Sequence, residues 1–174
     1  WANVDAVDWF ARGVFPAIRA CLPDVEFHIV GARPTVRVMA LAVLPGVTVT
    51  GSVPDIRPYL AYASLAVAPL RIARGIQNKV LEAMAMEKIV IASPQAMEGL
   101  CALPGKELLV ANGEGDFVHQ IVTLLQSKSH RTMGHSARAR VLEDYSWEKG
   151  LTRVDALLSQ PQIVSTDEAC PHVL

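Results

Sequence analysis

Cysteine is scarce in this chain and long apolar runs are absent, and each absence excludes a class of protein. The 174 residues include three widely spaced cysteines, Cys21, Cys101 and Cys170, without a C-x-x-C pair. A disulfide framework and a zinc site are therefore both disfavoured. No apolar run approaches the ~18 residues of a membrane-spanning helix, and no charged-then-apolar leader opens the sequence. These absences favour a soluble, cytoplasmic protein.

An excess of charge of either sign is also lacking. Sixteen Lys and Arg residues stand against 17 Asp and Glu residues, a formal net charge of -1, so no overall basic field attracts nucleic acid or an anionic membrane. Hydrophobic residues make up 51% of the chain, enough to build a core and to exclude intrinsic disorder. The length is that of roughly one domain.

Short apolar runs alternate with longer stretches of helical period. The first helical stretch carries an apolar stripe of Val7, Ala11, Val14 and Ile18. Several of the short runs are apolar on both faces, as strands between two helical layers must be. This alternation predicts a doubly wound parallel α/β sheet whose strands lie at residues 25–30, 47–50, 65–69, 89–92 and 107–110.

The C-terminal third has a different pattern. Only helical periods follow the fifth strand, at residues 114–126, 131–144 and 146–159. The last helix is expected to begin at Ser146 and to bury Trp147, Leu151, Val154 and Leu158. We expect residues 1–160 to form one domain and residues 161–174, which lack helical period, to be a disordered tail.

The sequence opens on a helix, whereas doubly wound domains usually open on a strand that lies in the middle of the sheet. We therefore expect a fold without its first strand, in which the strands at 25–30 and 65–69 are unpaired along facing edges. The alternative is a different strand order that lacks nothing.

The loop after the third strand carries the densest group of polar residues. Arg71, Arg74 and Gly75 precede Asn78 and Lys79, which enter a helix containing Glu82. Backbone N–H groups at a helix start favour an anion, and a carboxylate one turn later can accept hydrogen bonds from sugar hydroxyls. The alternative is that Lys79 and Glu82 form an ordinary surface ion pair.

Residues 75–92, Gly-Ile-Gln-Asn-Lys-Val-Leu-Glu-Ala-Met-Ala-Met-Glu-Lys-Ile-Val-Ile-Ala, resemble the nucleotide-sugar signature of GT-B glycosyltransferases of family 4. More closely, they are similar to bacterial sugar transferases associated with exopolysaccharide systems. Residues 27–31, 47–53 and 145–147 match the same pattern. The resemblance covers about residues 1–158 and corresponds to the Rossmann-like, donor-binding C-terminal half of such enzymes.

The resemblance implies a donor site for a nucleoside diphosphate sugar. By position, Glu82 would hold the ribose, and Gly31 would allow close approach of the backbone. The base would be contacted by Gly51, Ser52 and Val53, and the diphosphate by the turn of Gly75, Ile76, Gln77, Asn78, Lys79 and Val80. The family retains anomeric configuration and needs no metal or other cofactor. The acceptor, and any membrane contact, would belong to a separate N-terminal domain. Trp147, Leu151 and Leu158 would contact a surface outside this chain, and the alternative is packing within this domain.

The chain departs from the family pattern in two ways. Arg74 stands where the family has a glutamate that contacts the transferred sugar, and the family's basic pair, which follows its first strand, has no match in the residues present. Arg74 and Lys79 are expected to supply part of that positive charge, and Glu98 is a candidate sugar contact. No catalytic residue is assigned, and we expect this chain alone to be inactive in transfer.

Two other functions can be compared with the residues. A non-catalytic nucleotide-binding or regulatory module is the main alternative, and a dinucleotide oxidoreductase is disfavoured because no G-x-G-x-x-G follows a strand. His28 is expected in the core, and the remaining candidates are expected on the solvated surface: His119, His130, His135, Arg131, Arg138 and Arg140.

Overall fold

A computed structural model describes residues 1–127 and 131–158 of the chain. Its five strands are β1 (Phe27–Val30), β2 (Val47–Gly51), β3 (Ala66–Ala68), β4 (Val90–Ala92) and β5 (Leu109–Val110). Each coincides with one of the predicted apolar runs, and all the pairings between them are parallel. The predicted α/β class is confirmed.

The strands form two sheets. In one, β1 pairs with β2, with Phe27 opposite Val47. In the other, the order is β3-β4-β5, with Ala66 opposite Val90 and Ile91 opposite Leu109. These orders correspond to positions 3-2 and 4-5-6 of the 3-2-1-4-5-6 arrangement. Within the described ranges no strand pairs with the second side of β1 or of β3, as the sequence predicted.

The helices alternate with the strands, and the last three described helices follow β5. They are α1 (Ala2–Trp9), a π-helical turn (Phe10–Val14), α2 (Phe15–Cys21), α3 (Val36–Met39) with a 3₁₀ turn (Ala40–Val43), α4 (Arg57–Tyr62), α5 (Asn78–Ala85), α6 (Pro94–Met97), α7 (Glu114–Gln126), α8 (Arg131–Asp144) and α9 (Trp147–Leu158). No helix of the described residues is long and apolar enough to cross a membrane.

One hydrophobic cluster joins the two sheets. Phe10 of the π-helical turn and Phe117 of α7 pack edge to face, with ring centroids 5.9 Å apart. The same cluster contains Val47 of β2 and Ile91 of β4, so both sheets share one helical cover. Burial of these aromatic and branched side chains is the main force that holds the sheets side by side.

A second cluster covers the other face of the three-stranded sheet. It contains Val80 and Met84 of α5, Ala92 of β4 and Ala137 of α8. The β3-β4-β5 sheet therefore lies between two helical layers, whereas β1 has one exposed face. His28 points to that face and pairs with Glu26 at 2.9 Å, so the prediction that His28 is a core residue is wrong.

A second prediction, the burial of the apolar residues of the last helix, is also wrong for the residues that the structure describes. The start of this helix is as expected, because Ser146 Oγ accepts the Lys149 amide at 3.4 Å. However, Trp147 is 84% exposed, and Leu151 and Leu158 are exposed too. An amphipathic period shows that a helix has an apolar face, but it does not show that another part of the chain covers it. His130 and the expected tail at 161–174 lie outside the described residues, and so does the side chain of Val154.

A buried ion pair attaches α8 to the loop before β5. Glu107 is 3% exposed, and one of its oxygens accepts the Leu103 amide at 2.8 Å. Arg140 donates to both Glu107 oxygens, at 3.1 and 3.2 Å, and to Asp144 at 3.0 Å. Arg140 is thus not on an exposed helix face, because it neutralises the buried Glu107 carboxylate. Burial opposes ionisation of Glu107, but its bonds to Arg140 and Leu103 hold the pKa of Glu107 below its usual range.

We predict that Glu107→Gln lowers the free energy of unfolding by about 1–3 kcal/mol, because the charge-assisted bonds to a buried group are lost. Chemical denaturation measures the change. The control is Glu143→Gln, which removes an exposed partner of Arg140 at 3.5 Å and should change stability by less than about 0.5 kcal/mol. Equal effects of the two variants would contradict this assignment.

The same carboxylate gives a pH dependence of stability. Because the pKa of Glu107 is lower in the folded protein than its ordinary value of 4.5, its contribution is full above that value and is lost as pH falls. The stability difference between the wild type and Glu107→Gln should therefore be constant near neutrality and shrink below about pH 4. Denaturation curves across this range measure it, and a difference that grows on acidification would contradict the prediction.

Candidate functional site

Helix α1 brings the loops after β1 and β3 to the same edge of the molecule. Asp8 accepts a hydrogen bond from Arg37 at 2.7 Å, just beyond the β1 loop. One turn earlier, Asp5 accepts two from Arg71 in the β3 loop, at 2.9 and 2.5 Å. These bonds lower the pKa of both carboxyl groups. Since the strands of both sheets end here, this edge is where an α/β sheet binds ligands.

The β3 loop ends in a helix start without a side-chain cap. Gly75 adopts φ +68°, a left-handed conformation that favours glycine, and its carbonyl accepts the Gln77 side chain at 3.0 Å. Gln77 is the N-cap of α5 but makes no capping bond. The Gln77 carbonyl accepts the Val80 and Leu81 amides, and no described hydrogen bond occupies the Asn78 and Lys79 amides. Free amides at the positive end of a helix dipole suit an anion.

The two charged residues of α5 have different surroundings. Glu82 is exposed and lies one turn into the helix, away from the core. The Lys79 ammonium donates to Asn3 Oδ1 of α1, and desolvation by the surrounding protein lowers the pKa of Lys79. None of the described ion pairs joins Lys79 to Glu82, so the surface-pair interpretation of the sequence is wrong. Arg74 is exposed in the loop.

The loop after β4 is fastened to the β3 loop. The buried Ser93 hydroxyl donates to the Leu70 carbonyl at 2.5 Å and accepts the Ala96 amide at 3.2 Å. Gly99 has φ +81°, and a Cβ built there would lie 3.6 Å from the Ile76 nitrogen. The exposed Glu98 therefore lies beside the turn at Gly75, as its candidate role requires.

The residues expected to contact a base are placed at the end of β2. Gly51 closes the strand with φ +72°, Ser52 is exposed, and Val53 is half-buried. No heavy atom lies within 4 Å of a Cβ built at Gly51 or at Gly31, which leaves open space beside both. No described hydrogen bond joins these residues to the β3 loop, so their role stays a prediction.

Other features of the described residues lie away from this edge. A groove of about 660 Å³ runs between the π-helical turn with α2 and α7, lined by residues such as Gly13, Ala17 and Val118, and contains no predicted site residue. Within residues 1–127 and 131–158, no group of three His, Cys, Asp or Glu side chains is placed to hold a metal ion.

Three contributors to the site were missed from the sequence. Asn3 lies inside the first turn of α1, which begins at Ala2, and its side chain reaches Lys79. The sequence predicted neither this contact nor the ion pair of Asp5 nor the hydroxyl contacts of Ser93. The spacing of Asp5 and Asp8, three residues apart on one helical face, was a signal that this face meets cations.

Comparison with known proteins places this geometry in a family. Residues 1–127 match the family described as glycosyl transferases group 1. The chain belongs to this family. No curated protein matches the sequence.

Solved structures share the fold. TarM of Staphylococcus aureus, as a mutant in complex with fondaparinux, α-GlcNAc-glycerol and UDP, is 20% identical, with a TM-score of 0.73 over 91% of this chain and 33% of that one. Sucrose-phosphate synthase of Thermosynechococcus elongatus is 20% identical, with a TM-score of 0.72 over 90% and 42%. HepE of Anabaena, in complex with UDP and glucose, is 16% identical, with a TM-score of 0.66 over 83% and 44%. The chain thus spans less than half of each, and the Rossmann-like GT-B fold of this part is confirmed.

We predict that Ser93→Ala lowers the free energy of unfolding by about 1–3 kcal/mol, because the Leu70 carbonyl loses a buried donor. Thermal and urea denaturation measure the change. Ser64→Ala, at an exposed serine before β3, is the control and should change stability by less than about 0.5 kcal/mol. If Ser93→Ala is as stable as the control, the two loops are not fastened through this hydroxyl.

Proposed function

We propose that this chain is the donor-binding half of a glycosyltransferase that moves a sugar from a nucleoside diphosphate sugar to an acceptor. One observation carries the proposal: the uncapped first turn of α5, the Lys79 ammonium and the exposed Glu82 carboxylate lie on one short helix at the ligand-binding edge. Amides and a cation suit a diphosphate, and a carboxylate one turn away suits ribose hydroxyls.

The charges at this edge favour the diphosphate further. Arg71 and Arg37 are each paired with an aspartate, whereas no described ion pair includes Arg74 or Lys79. Two cations therefore stand near the amide-lined turn without a carboxylate partner. Hydrogen bonds between such cations and phosphate oxygens are about twice as strong as bonds between neutral groups.

The mechanism of sugar transfer depends on where negative charge develops during the reaction. When the bond between the anomeric carbon and the diphosphate oxygen breaks, negative charge grows on the departing nucleoside diphosphate. Fixed amide dipoles and the Lys79 ammonium stabilise that charge, which lowers the barrier without a metal ion. The acceptor attacks from a separate domain, with retention of anomeric configuration. Arg74, in place of a carboxylate, leaves Glu98 to contact the hydroxyls of a transferred hexose.

The names of similar structures support a nucleotide-sugar donor. TarM and HepE were each solved with UDP, and the pneumococcal transferase GtfA with UDP and GlcNAc. We infer a role in polysaccharide or glycoconjugate synthesis, such as exopolysaccharide assembly, in the cytoplasm or at the inner face of the membrane. The chain alone is expected to lack transferase activity, because it spans less than half the length of the similar structures.

The alternative is a nucleotide-binding or regulatory module without transferase activity. Arg74 favours it, since this position lacks the carboxylate that would contact a transferred sugar. Release of nucleoside diphosphate from a nucleotide sugar by the intact protein, with an acceptor extract present, distinguishes the two. Nucleotide binding without any turnover would support the module.

We predict that Glu82→Ala weakens binding of the preferred nucleoside diphosphate about tenfold, because a charged acceptor of ribose hydrogen bonds is lost. Calorimetry with UDP, GDP and ADP identifies the preferred nucleotide in the wild type. The decisive comparison uses the 2′,3′-dideoxy analogue of the preferred nucleotide, which lacks the ribose hydroxyls. The wild type and Glu82→Ala should bind this analogue with equal affinity.

The control for this experiment is Glu143→Ala, an exposed glutamate of α8 outside the edge, which should leave both affinities unchanged. If Glu82→Ala weakens the ribose and dideoxyribose nucleotides alike, Glu82 does not act through the hydroxyls. If none of the three nucleotides binds the intact protein, the proposed function is wrong.

A further inference from the structure

Helix α1 contacts three cations of the candidate binding edge in two different ways. Asp5 and Asp8 form ion pairs with Arg71 and Arg37, so these cations are neutralised. Asn3 contacts Lys79 through an amide oxygen, which carries no net charge. Of these three cations, Lys79 is the one that keeps its full charge for a ligand.

We propose that Asn3 is a positioning residue for the donor: it holds the Lys79 ammonium against the first turn of α5, where the ammonium meets the diphosphate. This inference rests on the proposed function and adds to it a residue from a different helix. Asn3 itself does not contact the reacting atoms.

Lysine needs such a partner because its four-carbon stem is flexible and its charge is strongly hydrated. Side chains in a helix tilt toward its N-terminus, so Lys79, the second residue of α5, reaches back toward the edge. An ammonium has three N–H donors, and Asn3 Oδ1 accepts one of them. Two donors remain for phosphate oxygens.

The position of Asn3 is fixed by packing on both sides of the contact. Ala6, one turn after Asn3, is 2% exposed and belongs to the same core cluster as Val80, the residue that follows Lys79. Asp5 binds Arg71, whose guanidinium also lies 5.8 Å from the ring centre of Trp9. The contact between Asn3 and Lys79 therefore joins two elements whose relative placement the core already sets.

The sign of the side-chain charge makes the inference testable. An amide can be replaced by a longer amide, Asn3→Gln, which keeps a neutral acceptor at an exposed helical site. It can also be replaced by a carboxylate, Asn3→Asp, which keeps an acceptor of the same length but neutralises the ammonium. A merely structural contact would tolerate both, whereas a residue that positions a free charge tolerates only the first.

The experiment is calorimetry on the intact protein with whichever of UDP, GDP and ADP binds most tightly, compared with its nucleoside. Lys79→Met should weaken diphosphate binding about tenfold or more, and Asn3→Ala about three- to tenfold. Neither should change nucleoside binding by more than about twofold. Asn3→Gln should keep at least half of the diphosphate binding free energy that Asn3→Ala loses, whereas Asn3→Asp should not. The double variant Asn3→Ala/Lys79→Met should bind no more weakly than Lys79→Met.

Lys106→Met, at an exposed lysine before β5, is the matched control and should bind both ligands as the wild type does. If Lys79→Met weakens diphosphate binding but Asn3→Ala does not, the inference is wrong while the proposed function stands. If the two losses add in the double variant, or if Asn3→Asp binds as tightly as the wild type, the inference is also wrong. If none of the nucleotides binds the wild type, both the inference about Asn3 and the proposed function are wrong.

Discussion

The polar contacts between α1 and the loops after β1 and β3 are the constraint on which the binding edge depends. The two sheets share a hydrophobic cover but no hydrogen-bonded strand pair among the described residues, so backbone pairing does not fix one sheet to the other. Asp8 reaches Arg37 on one side, and Asp5 reaches Arg71 on the other. A single helix thereby sets the positions of both loops. Apolar packing is non-directional and could not by itself fix how the loops are placed relative to each other.

In the proposed donor site, these contacts also determine which charges a bound diphosphate meets. An ion pair with an aspartate removes much of the field of an arginine, whereas a neutral amide leaves the ammonium charge intact. The contacts of α1 thus separate Arg37 and Arg71, which are paired with aspartates, from Lys79, which is not.

Much of the fold could be predicted because its determinants are local. Apolar runs of four to six residues fixed the strands, and the helical periods at 114–126 and 131–144 gave the bounds of α7 and α8. Failures occurred where burial depended on other elements. His28 lies in a strand with one exposed face, and Trp147 lies on a helix whose apolar face is open. The local pattern does not predict either exposure. A period of 2 or 3.6 residues shows that an element has an apolar face, but it does not show whether another element packs on that face.

The sequence by itself determined the class of fold, the turn at Gly75 and the placement of Lys79 and Glu82 on one helix, because each depends on neighbours within a few residues. Only the tertiary structure decided that Asn3 meets Lys79, that Glu107 is buried with Arg140, and that Ser93 fastens two loops. These contacts join residues 76, 33 and 23 positions apart. Such pairs depend on how helices and sheets pack together, and no periodicity along the chain encodes which of many polar residues will face each other.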